Sequence, residues 1–188
     1  MIGSRVRLDP LQRADFSGLA AAAADGRLWD STVTVIPPPE EMAAFVEERL
    51  EEVAAGNWAA FTVRRLADDR IVGLTNYLHI DAVNRRRAIG GTWYAASAQR
   101  TAVNTETKLL LLDFAFGPLD CLAVELRTHA RNAASRAAME RLGAAQDGIL
   151  RQHLIMPDGT LRDTVVYSIL AAEWPGLRDR LVARLAAG

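Results

Sequence analysis

Residues 88–105 read AIGGTWYAASAQRTAVNT, and the interpretation of this stretch decides the fold. Its first part lies in a strand predicted over roughly 86–95; its last part opens a helix over 103–116 that is nearly all apolar from Leu109 onward. Gly90 and Gly91 have no side chains to pack, which suits a bulge or a close approach of backbone to a ligand. The loop that opens the buried helix presents unpaired backbone N–H groups and the positive end of the helix dipole, which suits a pyrophosphate. Most helix starts bind nothing, so on the residues alone this is an anion-site hypothesis and no more.

Towards the N-terminus, Val6 and Leu8 alternate with Arg5 and Arg7 as in a short strand. Asp9 is placed to cap a helix carrying Leu11, Phe16, Leu19 and Ala23, stopped by Asp25-Gly26. Pro37-Pro38-Pro39 leads into a second helix from near Glu40, where Met42, Phe45, Val46, Leu50 and Val53 recur at spacings of three or four. Residues 58–65 and 70–80 form a hairpin around Ala67-Asp68-Asp69, and Arg85-Arg86-Arg87 reads as a solvated turn before the central strand.

Towards the C-terminus, residues 121–128 alternate, with Leu122, Val124 and Leu126 on one face and Ala123, Glu125 and Arg127 on the other. Asn132 is a good N-cap for the next helix, and Gly143 sits where a C′ glycine belongs. A long hairpin over 145–156 and 162–170 turns at Pro157-Asp158-Gly159, and a helix near 173–186 closes the order.

A length of 188 residues suits one domain, 1–188, with a filled core. The net charge of −1 gives no overall basic field for nucleic acid. No apolar run approaches the ~18 residues of a membrane span and the N-terminus lacks a leader's apolar region, so a cytoplasmic protein is expected. Cys121 is alone, without a disulfide partner or a metal-ligand cluster, and reads as a buried structural thiol.

The ordered motifs resemble the GNAT acetyltransferases, within the branch of the ribosomal-protein alpha-amino acetyltransferases. The resemblance rests on Ile89-Gly90-Gly91-Thr92-Trp93, Gln99-Arg100-Thr101-Ala102-Val103-Asn104, Val124-Glu125-Leu126, Asn132 with Ser135, Arg141-Leu142-Gly143-Ala144, Asp158-Gly159, Arg162-Asp163-Thr164 and Tyr167-Ser168. It spans nearly the whole chain. It implies an α+β fold in which helices flank a mixed, mostly antiparallel sheet of about seven strands. It implies acetyl-CoA as co-substrate, no metal, and a primary amine as acceptor, on a protein N-terminus or a small molecule. A homodimer is compatible with it.

What the resemblance implies for residues is specific. Trp93 and residues Gln99, Arg100, Thr101, Ala102, Val103, Asn104 and Thr105 would hold the cofactor, with Asn132 and Ser135 facing its pantetheine arm. That arm would insert between the strands at 88–95 and 121–128. A backbone N–H around Trp93–Tyr94 would polarise the acetyl carbonyl. Ser135 would give a proton to the departing thiolate, or would only supplement the helix cap. Trp29 would wall the acceptor site. His79, Asp81 and His153 are the acid–base groups expected on the acceptor side, each equally explicable as a surface or satisfied core residue.

Two positions depart from the family pattern. Arg100 and Ala102 stand where its loop carries glycines, and a left-handed backbone at residue 102 would strain alanine by roughly 1–2 kcal/mol. Ala88 stands where many relatives place a glutamate, which leaves the general base unassigned. These departures favour the alternative of a non-catalytic CoA-binding module; turnover of acetyl-CoA across an amine panel separates the two.

Overall fold

The computed structural model describes residues 1–187. Seven strands form one sheet in the order β1-β2-β3-β4-β5-β7-β6. They are β1 (Val6–Pro10), β2 (Ala59–Arg65), β3 (Arg70–Asp81), β4 (Arg86–Tyr94), β5 (Ala123–His129), β6 (Ala145–Ile155) and β7 (Leu161–Leu170). Neighbours are antiparallel except β4 and β5, which run parallel. Five helices accompany them: α1 (Phe16–Ala24), α2 (Met42–Ala54), α3 (Ala102–Phe116), α4 (Ala133–Leu142) and α5 (Trp174–Ala186). This is the α+β arrangement that the motif order implied.

The helices cover both faces, so the apolar residues fall into two clusters. Leu19, Ala22 and Ala23 of α1 and Met42 and Val46 of α2 pack with Leu74 of β3 and Trp93 of β4. On the other face, Val103, Leu111, Leu112 and Ala115 of α3, Leu142 of α4 and Leu177 and Leu181 of α5 meet Tyr77, Ile89, Val124, Leu126 and Tyr167.

Several local expectations change. Asp9 does not cap a helix: β1 runs on to Pro10, and Asp9 pairs with Arg7 at 2.8 Å and Arg64 at 3.3 Å. The entry to α1 is a 3-10 turn at Arg13–Asp15, where the Gln12 N–H donates to Asp15 Oδ2 at 2.9 Å. Phe16 is consequently exposed. Of the three arginines, only Arg85 stays in the turn; Arg86 and Arg87 begin β4, and the Arg87 guanidinium lies 5.1 Å from the Tyr77 ring centroid. Leu122 precedes β5 and is exposed, so the inward face of that strand begins with Val124 and Leu126. Cys121 is buried, as expected of a structural thiol.

The feature that positions the site is a split in the sheet. β4 pairs with β5 only from Arg86↔Ala123 to Ile89↔Leu126. Beyond that point β4 stays with β3 as far as Tyr94↔Gly73, and β5 stays with β7 as far as His129↔Thr164. A bulge marks the divergence, because Gly91 and Thr92 together oppose Thr75, lying between the pairs Asn76↔Gly90 and Leu74↔Trp93. Gly91 has φ +56, a conformation that only glycine adopts without strain.

Candidate active site

The split opens into a cleft of about 720 Å³, a volume that suits a small-molecule ligand. Ile89, Gly90, Gly91, Thr92 and Tyr94 form one wall; Leu126, Arg127, Thr128 and His129 form the opposite one. The N-terminal turns of α3 and α4 close one side, through Thr101, Asn104, Thr105 and Lys108 and through Asn132 and Ser135. Val33, Thr34 and Val35, from the connection between α1 and α2, reach the cleft from the α1/α2 side.

The bulge is held from below. Asn76 is fully buried in β3, and its Nδ2 donates to the carbonyls of Gly90 at 3.1 Å and Gly91 at 3.3 Å. These bonds fix β4 as it leaves β5, with the N–H edge of the diverging segment turned to the cleft. Tyr94 is buried, which raises its phenol pKa above the ordinary value, so the side chain stays neutral. Trp93 packs in the α1/α2 cluster instead of lining the cleft.

The loop after β4 is braced by its own side chains. Gln99 Nε2 donates to Tyr94 O at 2.9 Å, and Thr101 Oγ1 donates to Ala98 O at 2.6 Å. Thr101 is the N-cap of α3, its hydroxyl accepting the Val103 N–H at 3.3 Å. The other N–H groups of that first turn have no partner within the helix. The left-handed residue of the loop is Arg100, with φ 59, and not Ala102, which is the first residue of α3. The strain expected at residue 102 therefore falls two residues earlier. Val103 is buried in the core, so its backbone but not its side chain is available to a ligand.

Asn132 caps α4 as its sequence position requires: Oδ1 accepts the Ser135 N–H at 3.0 Å, while Nδ2 donates to Thr34 Oγ1 at 3.4 Å. The same amide thus ties the α4 N-terminus to the loop that borders the cleft. Gly143, at φ +96, ends the helix. Ser135 lines the cleft, and its hydroxyl makes no hydrogen bond among the described residues.

Other candidates lie elsewhere. Trp29 is half-buried, 5.4 Å from the Arg27 guanidinium, and does not line the cleft. His79 is exposed at a second irregularity of β3, near the end where β4 begins, and Asp81 caps the turn to β4 through Asn84. His153 is exposed on β6 and bonds Thr164 Oγ1 at 3.1 Å. None of them meets the cleft.

Residues that motif reading passed over take those places. His129 is buried at the end of β5, and burial, with Arg131 and Arg162 nearby, lowers its pKa and keeps the ring neutral. Arg162 on β7 is desolvated and donates to Thr164 Oγ1 at 3.0 Å. The cations Arg100, Lys108, Arg127, Arg141, Arg162 and Arg184 line the cleft, with no carboxylate among the described lining residues. A chain of net charge −1 has therefore gathered positive charge in one place, where it suits a polyanionic ligand.

The comparisons with known proteins agree with this geometry. The model of the acetyltransferase (GNAT) domain matches residues 5–145. The chain belongs to the GNAT acetyltransferase family. A Bacillus subtilis (strain 168) protein named "Putative ribosomal N-acetyltransferase YdaF" is 32% identical over 111 residues, 59% of this chain and 60% of its own length. Another from that organism, "Probable N-acetyltransferase YjcK", is 27% identical over 66% of each chain. The match thus spans less than two thirds of either curated relative. An acetyltransferase crystal structure from T. thermophilus superposes with TM-score 0.86 at 31% identity, covering 98% of this chain and 96% of its own. Mycobacterium smegmatis RimJ, in complex with CoA-disulfide, shares the fold with TM-score 0.80 at 20% identity, covering 96% of this chain and 93% of its own.

Proposed function

We propose that the protein transfers the acetyl group of acetyl-CoA to a primary amine by direct attack, acting as one domain in the cytoplasm. The observation that carries this reading is the acid-free, cation-lined cleft at the point where β4 and β5 part. It is shaped for an extended thioester with phosphates at one end, and the CoA-bound RimJ has the same fold.

In this reading the first-turn N–H groups of α3 and the Arg100 side chain hold the pyrophosphate. The pantetheine arm takes the place of a strand between β4 and β5. Backbone N–H groups of β4 near Trp93 and Tyr94 donate to the acetyl oxygen as negative charge develops there. The Ser135 hydroxyl donates a hydrogen bond to the sulfur. The amine enters from the α1/α2 side, past Val33–Val35, where Glu125, Arg127 and His129 also face by strand alternation. Holding both reactants in one cleft supplies much of the rate.

A protein α-amine is the first acceptor to test, in view of the ribosomal acetyltransferase named among the relatives. The edge strand β6 exposes Ile149, Leu150, Leu154 and Ile155, which is compatible with a homodimer. Calorimetry with CoA and turnover of acetyl-CoA over a panel of peptide and small amines test the reading. Binding with turnover of at least one amine supports it. Binding without turnover across the panel returns the non-catalytic alternative, and no binding at millimolar CoA removes both.

A further inference from the structure

Of the 22 lysines and arginines in the chain, one is a lysine, and it is Lys108. It lies two turns into α3 and reaches across to β4, where Nζ donates to Thr92 Oγ1 at 3.1 Å. Thr92 Oγ1 in turn lies 2.8 Å from Thr75 Oγ1. The lysine therefore meets the sheet at the bulge, where Gly91 and Thr92 together oppose Thr75. It lines the cleft on the α3 face, the face that also carries the α4 N-terminus and Ser135.

We propose that Lys108 is a catalytic acid, whose ammonium gives its proton to the CoA sulfur as the tetrahedral intermediate collapses. The proposal rests on the acetyl-transfer reading above. The amine's lone pair forms the C–N bond, and the electron pair of the breaking C–S bond goes to sulfur. The Lys108 proton goes to that sulfur, giving the free thiol and a neutral Lys108. The proton leaving the new amide nitrogen passes to water in the cleft, and water reprotonates Lys108 before the next turnover.

Three observations support the assignment. First, Lys108 has no carboxylate partner among the described residues, so its ammonium does no ion-pairing work. The acid nearest in sequence on its helix, Glu106, is turned away to the N-terminal segment, where it accepts from Ser4, Arg5 and Val6. The other titratable groups lining the cleft are Tyr94 on β4, Arg127 and His129 on β5, Arg141 on α4, Arg162 on β7, Arg184 on α5 and Arg100 in the loop, none of them acidic. Second, burial brings the Lys108 pKa down to about 7. An ordinary thiol has a pKa near 8.5, so transfer to the thiolate is favourable, whereas a serine hydroxyl is a far weaker acid than a thiol and cannot supply the proton on its own account. Third, every other basic side chain in the sequence, histidines aside, is arginine. A guanidinium cannot give up its proton at physiological pH, so a proton donor at this position has to be the lysine.

The single lysine makes the test clean, because protein grown with ¹³Cε-labelled lysine gives one side-chain signal. Titrated by NMR in the CoA complex, that signal is expected to move with a midpoint near neutrality, and the kcat profile of the wild type to decline above the same midpoint. Lys108→Met is expected to lower kcat at least 100-fold, to keep CoA affinity within about threefold and to abolish the alkaline decline. Lys108→Arg should not restore kcat. A lysine midpoint at its ordinary value near 10.4 overturns the proposal even if the Met variant fails to fold. So does a Lys108→Met or Lys108→Arg protein with kcat within threefold of wild type. If the wild type itself turns over none of the amines, it is the acetyl-transfer reading that has failed.

Discussion

Asn76 Nδ2 donates to Gly91 O at 3.3 Å, and a Cβ built on Gly91 would come within 2.7 Å of the same nitrogen. The buried amide that fixes the bulge thus also fills the space a side chain at residue 91 would need. Gly91→Ala combines this contact with a left-handed φ of +56, at an expected cost of about 1–3 kcal/mol. Urea denaturation should show that loss, and turnover should fall at least tenfold as the β4 edge shifts. Wild-type stability in the alanine variant would mean that the bulge relaxes without effort.

Arg100 sits at φ 59 between Gln99, which braces Tyr94, and Thr101, which caps α3. Relief of left-handed strain should make Arg100→Gly more stable by about 1 kcal/mol, offset in part by the greater freedom of the unfolded chain. The same change removes a cation from the cleft, so CoA should bind more weakly and with a shallower salt dependence. Thermal melts and calorimetry at two salt concentrations check both halves. Tighter CoA binding by the glycine variant would show that Arg100 does not touch a phosphate.

Glu106 staples α3 to β1. Its carboxylate accepts the Ser4 N–H at 3.0 Å, the Ser4 hydroxyl at 2.7 Å and the N–H groups of Arg5 and Val6 at 2.7 Å each. Burial alone would raise its pKa, but the bonds from Ser4, Arg5 and Val6 outweigh it and hold the carboxyl below its ordinary range. A depressed folded pKa means that the stabilisation is present above the unfolded value and is lost as pH falls through the folded one. Glu106→Leu strands the N–H donors and should cost about 3 kcal/mol at pH 7. The gap between variant and wild type should narrow in acid; a gap that does not change with pH would assign the loss to packing instead.

Much of the architecture was legible because it follows from local rules. The N-cap at Asn132, the C′ glycine at 143, the hairpin turns and the amphipathic faces of α2 and β5 are each set by a few adjacent residues. Gln99, Thr101 and Ser135 could be placed at the cleft because their roles attach to a loop and to helix starts. Asn76 and Lys108 were not legible in that way. Each acts across the fold, on Gly91 and Thr92, and neither periodicity nor motif spacing reports such a contact. A polar residue within the apolar run of β3 and a lone lysine in an arginine-rich chain were the available signals. Trp29 and His79 show the converse, since a residue type suited to an acceptor site says nothing about which way its segment turns.

Ser135 offers the sharpest division between capping and chemistry. The capping role belongs to its backbone, whose N–H is already held by Asn132 Oδ1 at 3.0 Å. Its hydroxyl makes no bond among the described residues and lines the cleft beside the α4 N-terminus. Ser135→Ala should therefore leave the helix intact, with stability changed by less than about 0.5 kcal/mol. It should lower kcat about 100-fold, the order of losing one donor to developing charge, with CoA affinity within a few-fold. If Ser135 holds the sulfur while Lys108 protonates it, the two act on one event, and the Ser135→Ala/Lys108→Met protein should be little slower than the worse single variant. Full additivity would separate their roles. An unchanged kcat in Ser135→Ala, with acetyl transfer shown to be rate-limiting, would leave the hydroxyl out of the mechanism and Lys108 to act alone.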